Sequence, residues 1–314
     1  MKRFPGIFTP MVTPFRQDDT VDERGLRQNV ARWMQSPLTG LVVLGSNGEA
    51  AQLDDDEADR VIAVTREEVP QGRPLIAGTG RESTKATIAA TRRAAAQGVD
   101  AVLVRTPSFF KSQMTSDVFI RHYREVADAS PVPVLLYNVT MYTGVNLLPD
   151  AVEALAAHPN VAGMKESGGD IAQIAECAAR TPVDFTLLAG SAATLFHALC
   201  AGCDGAILAL AALLPEECVR LWLHVREGRL DEARALQRRV MPLARSVGSA
   251  CGIPGLKAAL DLMGFTGGSP RPPLRPVTPQ TIEIIRQQLE ALGIQVHQLP
   301  PHGAGAVGAP VLQN

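Results

Sequence analysis

Lys165 closes the short apolar run Val161, Ala162, Gly163 and Met164, and small and acidic residues follow it at once in VAGMKESGGD, residues 161–170. An ammonium ion at the end of a buried strand is costly to desolvate, which favours the neutral amine, and a neutral amine in a semi-apolar pocket attacks ketones. Most lysines at strand ends extend to solvent instead. Only five of the 30 basic residues are lysines, however, and Lys2, Lys85 and Lys257 do not end an apolar strand. Lys111 is the local rival, because it follows a second strand-like run, DAVLVRTP. Two further groups have chemistry that would serve a Schiff-base lysine. Tyr137 ends the apolar run PVLLYNV, and a phenol near an amine can shuttle protons. Ser46 and Asn47 lie in GSNGE after LVVL, where turn amides, a hydroxyl and a carboxamide can form a nest for a carboxylate, with Gly45 and Gly48 allowing close backbone approach. Taken singly, a core tyrosine whose hydroxyl finds a partner and a plain turn are the better account of these residues. Glu49 is expected to hydrogen-bond behind the site.

These residues need elements that bring them together. Apolar runs GIFTPMVT, LVVLGS, PLIAGTG, DAVLVRTP, PVLLYNV, VAGMKE, FTLLAGS and GAILAL alternate with amphipathic stretches near 22–36, 54–69, 83–97, 115–129, 148–157, 170–180, 191–201 and 214–227. Eight β units each followed by an α unit predict a (β/α)8 TIM barrel of the α/β class over residues 1–226. In such a barrel the carboxyl ends of the strands share one mouth, and Lys165, Tyr137, Ser46 and Asn47 all fall there. Residues 227–297 read as a C-terminal helical appendage, with helices over 228–247, the GIPGLKAALDLMG segment and 278–293. Residues 298–314 read as a mobile tail rich in Gly, Ala and Pro.

Composition narrows the function classes. With 314 residues, 46% hydrophobic content and a formal charge of -2, the chain has no basic surplus for nucleic acid. No apolar run approaches the ~20 residues of a membrane span, and the start MKRFPGIFTP lacks a signal-peptide core, so a cytoplasmic location is expected. Five cysteines, including the lone CxxC of Cys200 and Cys203, do not suggest a disulfide framework or a zinc site. The six histidines form no metal-like pair.

GSNGE, YNVTMYTG (137–144), GMKESGGD (163–170), LLAGSAATL (187–195) and GIPGLKAALDLMG (252–264), in this order from about Gly6 to Gln295, resemble the dihydrodipicolinate synthase and N-acetylneuraminate lyase superfamily of class I aldolases. The Ser-Asn pair, GIPGLK and the length of TPSFFKSQMTSDVFIRHYREVAD are most similar to 4-hydroxy-2-oxoglutarate aldolase. The resemblance implies that Lys165 forms the imine, Tyr137 relays protons, and Ser46 and Asn47 hold the carboxylate of the pyruvyl unit. It also implies that Ser167 and Ile207 line the site. Tyr142 stands where synthases carry an arginine for the carboxylate of aspartate semialdehyde, and Phe109 stands where relatives have a second tyrosine reaching across a subunit interface. The expected reaction is cleavage of a 4-hydroxy-2-keto acid, such as 4-hydroxy-2-oxoglutarate or a 2-keto-3-deoxy sugar acid, to pyruvate and an aldehyde. The alternatives are 4-hydroxy-tetrahydrodipicolinate synthase and a keto-acid-binding barrel without turnover. The imine is itself the electron sink, so no metal or organic cofactor is expected. A homotetramer is implied, with residues 106–114 near a subunit contact.

Overall fold

Eight short strands form a closed, all-parallel barrel in chain order: β1 (Gly6–Pro10), β2 (Gly40–Val43), β3 (Leu75–Gly78), β4 (Ala101–Arg105), β5 (Val134–Asn138), β6 (Val161–Glu166), β7 (Thr186–Ala189) and β8 (Gly205–Ile207). This is a (β/α)8 TIM barrel. The computed structural model describes residues 3–297, so the tail expected over 298–314 lies outside the described residues. Every strand is buried along essentially its whole length, which is why the strands read as continuous apolar runs rather than alternating ones. One set of side chains, including Phe8, Val42, Ile76, Leu103, Leu135, Leu188 and Ile207, fills the barrel interior, while Phe4 packs with them from the segment entering β1. The other set faces the helices and belongs to a separate, larger cluster.

The outer layer comprises α1 (Glu23–Met34), α2 (Asp55–Glu68), α3 (Thr84–Ala96), α4 (Ser116–Ala129), α5 (Thr140–Thr143), α6 (Pro149–Ala156), α7 (Ile171–Arg180), α8 (Leu195–Cys200) and α9 (Pro215–Arg226). Local chemistry sets several starts. Asp54 and Glu57 form a reciprocal capping box on α2, Ser83 caps α3, and Asp170 accepts from Ala172 and Gln173 at the head of α7. Trp33 of α1 is fully buried and its indole N–H reaches Ala212 O at 3.0 Å, so its large apolar area is covered without an orphan donor.

Three further helices follow among the described residues: α10 (Leu230–Arg245), α11 (Gly252–Leu262) and α12 (Pro279–Ala291). Their apolar residues, including Leu243, Leu256, Leu260 and Ile285, join the cluster that lies between barrel and helices. Asn29 of α1 exchanges two hydrogen bonds with the backbone of Thr266, and Arg32 lies 3.8 Å over the Phe265 ring. No helix among the described residues is long and apolar enough to cross a membrane.

Two details differ from the sequence expectation. The run GAILAL stops being a strand at Ile207, because Ala209–Ala212 wind into a 3-10 turn over the mouth. The YNVTMYTG segment contains α5, a single helical turn closed by Gly144 at φ 65°, a conformation that glycine adopts without cost. This turn carries Tyr142.

Candidate active site

Lys165 owes its direction to a register shift between β5 and β6. Val134 pairs with Val161, but Leu135 pairs with Gly163, so one residue of β6 is skipped and Tyr137 comes to face Lys165. Without the shift Tyr137 would face Met164, and Lys165 would point with the outward set, since a one-residue slip exchanges the faces of a strand. In register partners of a parallel pair lie side by side. The result is a short polar chain across the barrel mouth: Lys165 Nζ is 3.4 Å from Tyr137 Oη and 4.4 Å from the centre of its ring, and Tyr137 Oη is 3.2 Å from Ser46 Oγ. Lys165 is only 6% exposed, and among the described residues no carboxylate pairs with it.

The neighbouring carboxylate is directed elsewhere. Glu166 accepts from Asn138 Nδ2 at 2.7 Å, Gln173 Nε2 at 3.1 Å and the Gly168 amide. Asn138 in turn accepts from the Leu147 amide at 3.1 Å and donates to Asn146 at 2.6 Å. Burial raises the Glu166 carboxyl above its usual range, with the donors from Asn138, Gly168 and Gln173 opposing that shift. The network ties β5, β6 and the head of α7 together behind the lysine.

Ser46 opens a 3-10 turn, Ser46–Gly48, that leaves β2, and the Thr13 hydroxyl pins that turn by donating to Gly48 O at 2.7 Å. A cavity of about 630 Å³ lies over this end of the barrel, with Ser46, Tyr137, Tyr142, Arg81, Arg105 and Ser108 on its wall. The phenol of Tyr137 stands between this cavity and the Lys165 amine. Asn47, expected beside Ser46, is half-buried and does not line the cavity. Successive residues of a 3-10 turn diverge by about 120°, so presenting Ser46 turns the Asn47 side chain away. Ile207 is fully buried in the barrel interior with Tyr137 rather than on the cavity wall. The Ser167 hydroxyl is buried and has no hydrogen-bond partner, and it lies where a side chain on Gly190 would sit, since a Cβ there would come within 1.8 Å of it. Like Asn47 and Ile207, Ser167 does not line the cavity wall.

The structure also brings in residues that sequence reasoning passed over. Lys257, on α11, is 1% exposed and forms an ion pair with Glu49 Oε1 at 2.5 Å while donating to Ser269 O at 2.9 Å. Burial lowers the Lys257 ammonium and Glu49 opposes that shift. Glu49 Oε2 accepts the Arg271 amide at 2.8 Å, so the pair anchors the C-terminal helices to the turn that carries Ser46. Arg81 and Arg105 on the cavity wall gave no local signal, because an arginine in a loop or at a strand end is ordinary. Among the described residues no group of three or more His, Cys, Asp or Glu is arranged to hold a metal ion.

Residues 3–292 match the sequence model of the Dihydrodipicolinate synthetase family. The chain is 32% identical over 298 residues to the 4-hydroxy-tetrahydrodipicolinate synthase of Caldicellulosiruptor bescii, covering 95% of this chain and 100% of that one. It is 35% identical over 276 residues to the enzyme of the same name from an Exiguobacterium species, covering 88% and 93%. The solved structure of dihydrodipicolinate synthase from Thermotoga maritima superposes with a TM-score of 0.88 at 32% identity over 93% of this chain and 100% of that one. These relatives carry the synthase name, not that of the 4-hydroxy-2-oxoglutarate aldolase which the sequence details resemble most.

Proposed function

The chain belongs to the dihydrodipicolinate synthetase family, whose members are lyases of the class I aldolase type, and on that footing we propose that it cleaves a 4-hydroxy-2-keto acid to pyruvate and an aldehyde through an imine on Lys165. The observation that carries this is the Lys165–Tyr137–Ser46 chain, a buried amine without a counter-ion touching a phenol that faces a cavity. The amine adds to the C2 ketone and water leaves, giving a protonated imine. That cation draws the electrons of the C3–C4 bond toward nitrogen, the bond breaks, and the C4 hydroxyl loses its proton as the aldehyde departs. Tyr137 relays this proton, giving up its own as it accepts another, and a proton returns to the enamine carbon. Water then adds to the imine carbon, the C–N bond breaks, and pyruvate leaves the free Lys165 amine, the relay contributing about 10²- to 10⁴-fold. Ser46 and the unpartnered Ser167 hydroxyl supply hydrogen bonds to the carboxylate of the pyruvyl unit.

Tyr142 favours cleavage over the synthase reaction. It lines the cavity, by the sequence resemblance it replaces the arginine of synthases, and a phenol does not replace a bidentate carboxylate clamp. A second reading, 4-hydroxy-tetrahydrodipicolinate synthase, is favoured by the names of the relatives, and that support is stronger than what they lend to the aldolase. We also propose a homotetramer, supported by Phe109 and Phe110, which are 78% and 68% exposed and pack edge to face on the loop after β4.

The test has two parts. Pyruvate with borohydride should place a reduced three-carbon adduct on Lys165, read by peptide mass spectrometry; a label on Lys111 or none overturns the imine assignment. With trapping in hand, kcat/KM for pyruvate release from 4-hydroxy-2-keto acids should exceed that for condensation with aspartate semialdehyde by at least about 10-fold, given the loss of one charge-assisted clamp. Faster condensation would replace the aldolase reading with the synthase one.

A further inference from the structure

Arg105 ends β4 in register with Tyr137 of β5, and both side chains line the cavity. Neighbouring strands lie about 4.8 Å apart and residues paired in register point to the same side, so the guanidinium rises beside the phenol that faces Lys165. Its Nη1 donates to Glu82 Oε1 at 2.7 Å and to Thr106 O at 3.2 Å. Among the described residues, Nε and Nη2 donate to no protein group, which leaves one edge of the fork open. That fork is held in place. Glu82 Oε2 accepts the Ser108 and Phe109 amides at 2.8 Å each, so the Arg105–Glu82 pair is tied to the loop after β4. Gly80 leaves room for the stem, since a Cβ there would lie 2.7 Å from Arg105 Cγ. Arg81, the other cation on the wall, is engaged differently, with Nη2 on Asp55 at 3.1 Å and Nη1 on Gly80 O at 3.4 Å.

We propose that Arg105 determines specificity by receiving, on its Nε–Nη2 edge, a carboxylate carried by the aldehyde half of the substrate. The preferred substrates are then 4-hydroxy-2-keto diacids rather than 2-keto-3-deoxy sugar acids, whose aldehyde half is neutral. A planar fork with two parallel donors matches a carboxylate in geometry as well as charge. The inference rests on Lys165 as the imine former, and trapping of pyruvate on Lys165 in the unaltered protein checks that reading separately.

The experiment compares kcat/KM for pyruvate release from 4-hydroxy-2-oxoglutarate and from 2-keto-3-deoxygluconate in the parent, Arg105→Gln and Arg105→Lys. The ratio of diacid to sugar acid should favour the diacid in the parent and fall at least about 10-fold in Arg105→Gln, the loss expected for one hydrogen-bonded charge pair. Arg105→Lys keeps a cation for Glu82 but lacks the open edge, so the ratio should fall there too, and a structural role for the Glu82 pair alone would leave that variant unaffected. An unchanged ratio in both variants, or equal losses on both substrates, overturns the proposal even if Lys165 is trapped. A loss confined to condensation with aspartate semialdehyde would assign the fork to the synthase chemistry and overturn it as well.

Discussion

Replacing Tyr137 by phenylalanine removes one oxygen from the centre of the candidate site. That oxygen is 3.4 Å from Lys165 Nζ and 3.2 Å from Ser46 Oγ, and the ring beneath it packs in the barrel interior with Leu135, Val139 and Ile207. The ring stays, so stability should change by no more than one net hydrogen bond, about 0.5–1.5 kcal/mol. Proton transfer should suffer far more. Loss of a positioned acid-base group is worth about 10²-fold or more in kcat, or about 2.7 kcal/mol of barrier, with KM little changed. The assay pairs steady-state pyruvate release with borohydride trapping, because the imine step can outlast a defect in the later proton transfers. A kcat within about 3-fold of the parent would refute the relay. Phe109 bears on the same step. Its amide is held by Glu82 and its ring is exposed, so within one chain it does not reach the cavity, and a missing relay tyrosine predicts that Phe109→Tyr raises kcat. If it does not, Ser108 and Tyr142, both on the cavity wall, are the hydroxyls to remove next.

Lys257→Met should cost about 3–5 kcal/mol in denaturant unfolding, because it leaves Glu49 buried without its partner at 2.5 Å; a loss below about 1 kcal/mol would mean that the pair is not a structural anchor. His122 is buried, donates or accepts through Nδ1 to Thr84 Oγ1 at 2.8 Å, and is pushed down to about 4 by burial from its ordinary 6.5. The unfolded chain therefore binds a proton that the folded chain refuses, so this contribution is present above about pH 6.5 and is lost as pH falls toward about 4, by at most about 3 kcal/mol. His122→Gln should flatten the fall in thermal midpoint between those pH values, and an unchanged slope would show that other groups dominate. Phe109→Ser with Phe110→Ser should shift sedimentation toward smaller species, whereas a parent that is already monomeric at working concentration would remove the tetramer proposal.

The barrel was legible because its signals are local. Strands buried on both faces must be apolar throughout, and Asp54, Ser83 and Asp170 mark helix starts within three residues of where they act. The ends of β2, β5 and β6 were legible closely enough to bring Ser46, Tyr137 and Lys165 to one mouth, although the end of β8 was not. What could not be read depends on a partner far along the chain. The skipped residue in β6 exists only relative to β5, the direction of Asn47 depends on the 3-10 turn, and Glu49 meets Lys257 more than 200 positions away. The aldolase detail rested on short motifs such as GSNGE, whereas relatives that match 95% and 93% of the chain bear the synthase name.

The two buried lysines show what burial does and does not imply about chemistry. Lys257 is the more deeply buried, and on exposure alone it would be the better candidate for a nucleophile. Its nitrogen nevertheless has a carboxylate at 2.5 Å and a carbonyl at 2.9 Å, so, although burial lowers its ammonium, the group is occupied by structural partners and lines no substrate cavity. Lys165 has neither. Its contact is a phenol, a group that can donate or accept a hydrogen bond, and the adjacent Glu166 is turned away and occupied by Asn138 and Gln173. A lysine that ends a strand, lacks a counter-ion and touches a phenol at a cavity has only one of these traits written in its local sequence. The other two come from the register of β6 against β5, and that register is what separates the candidate nucleophile from the anchor.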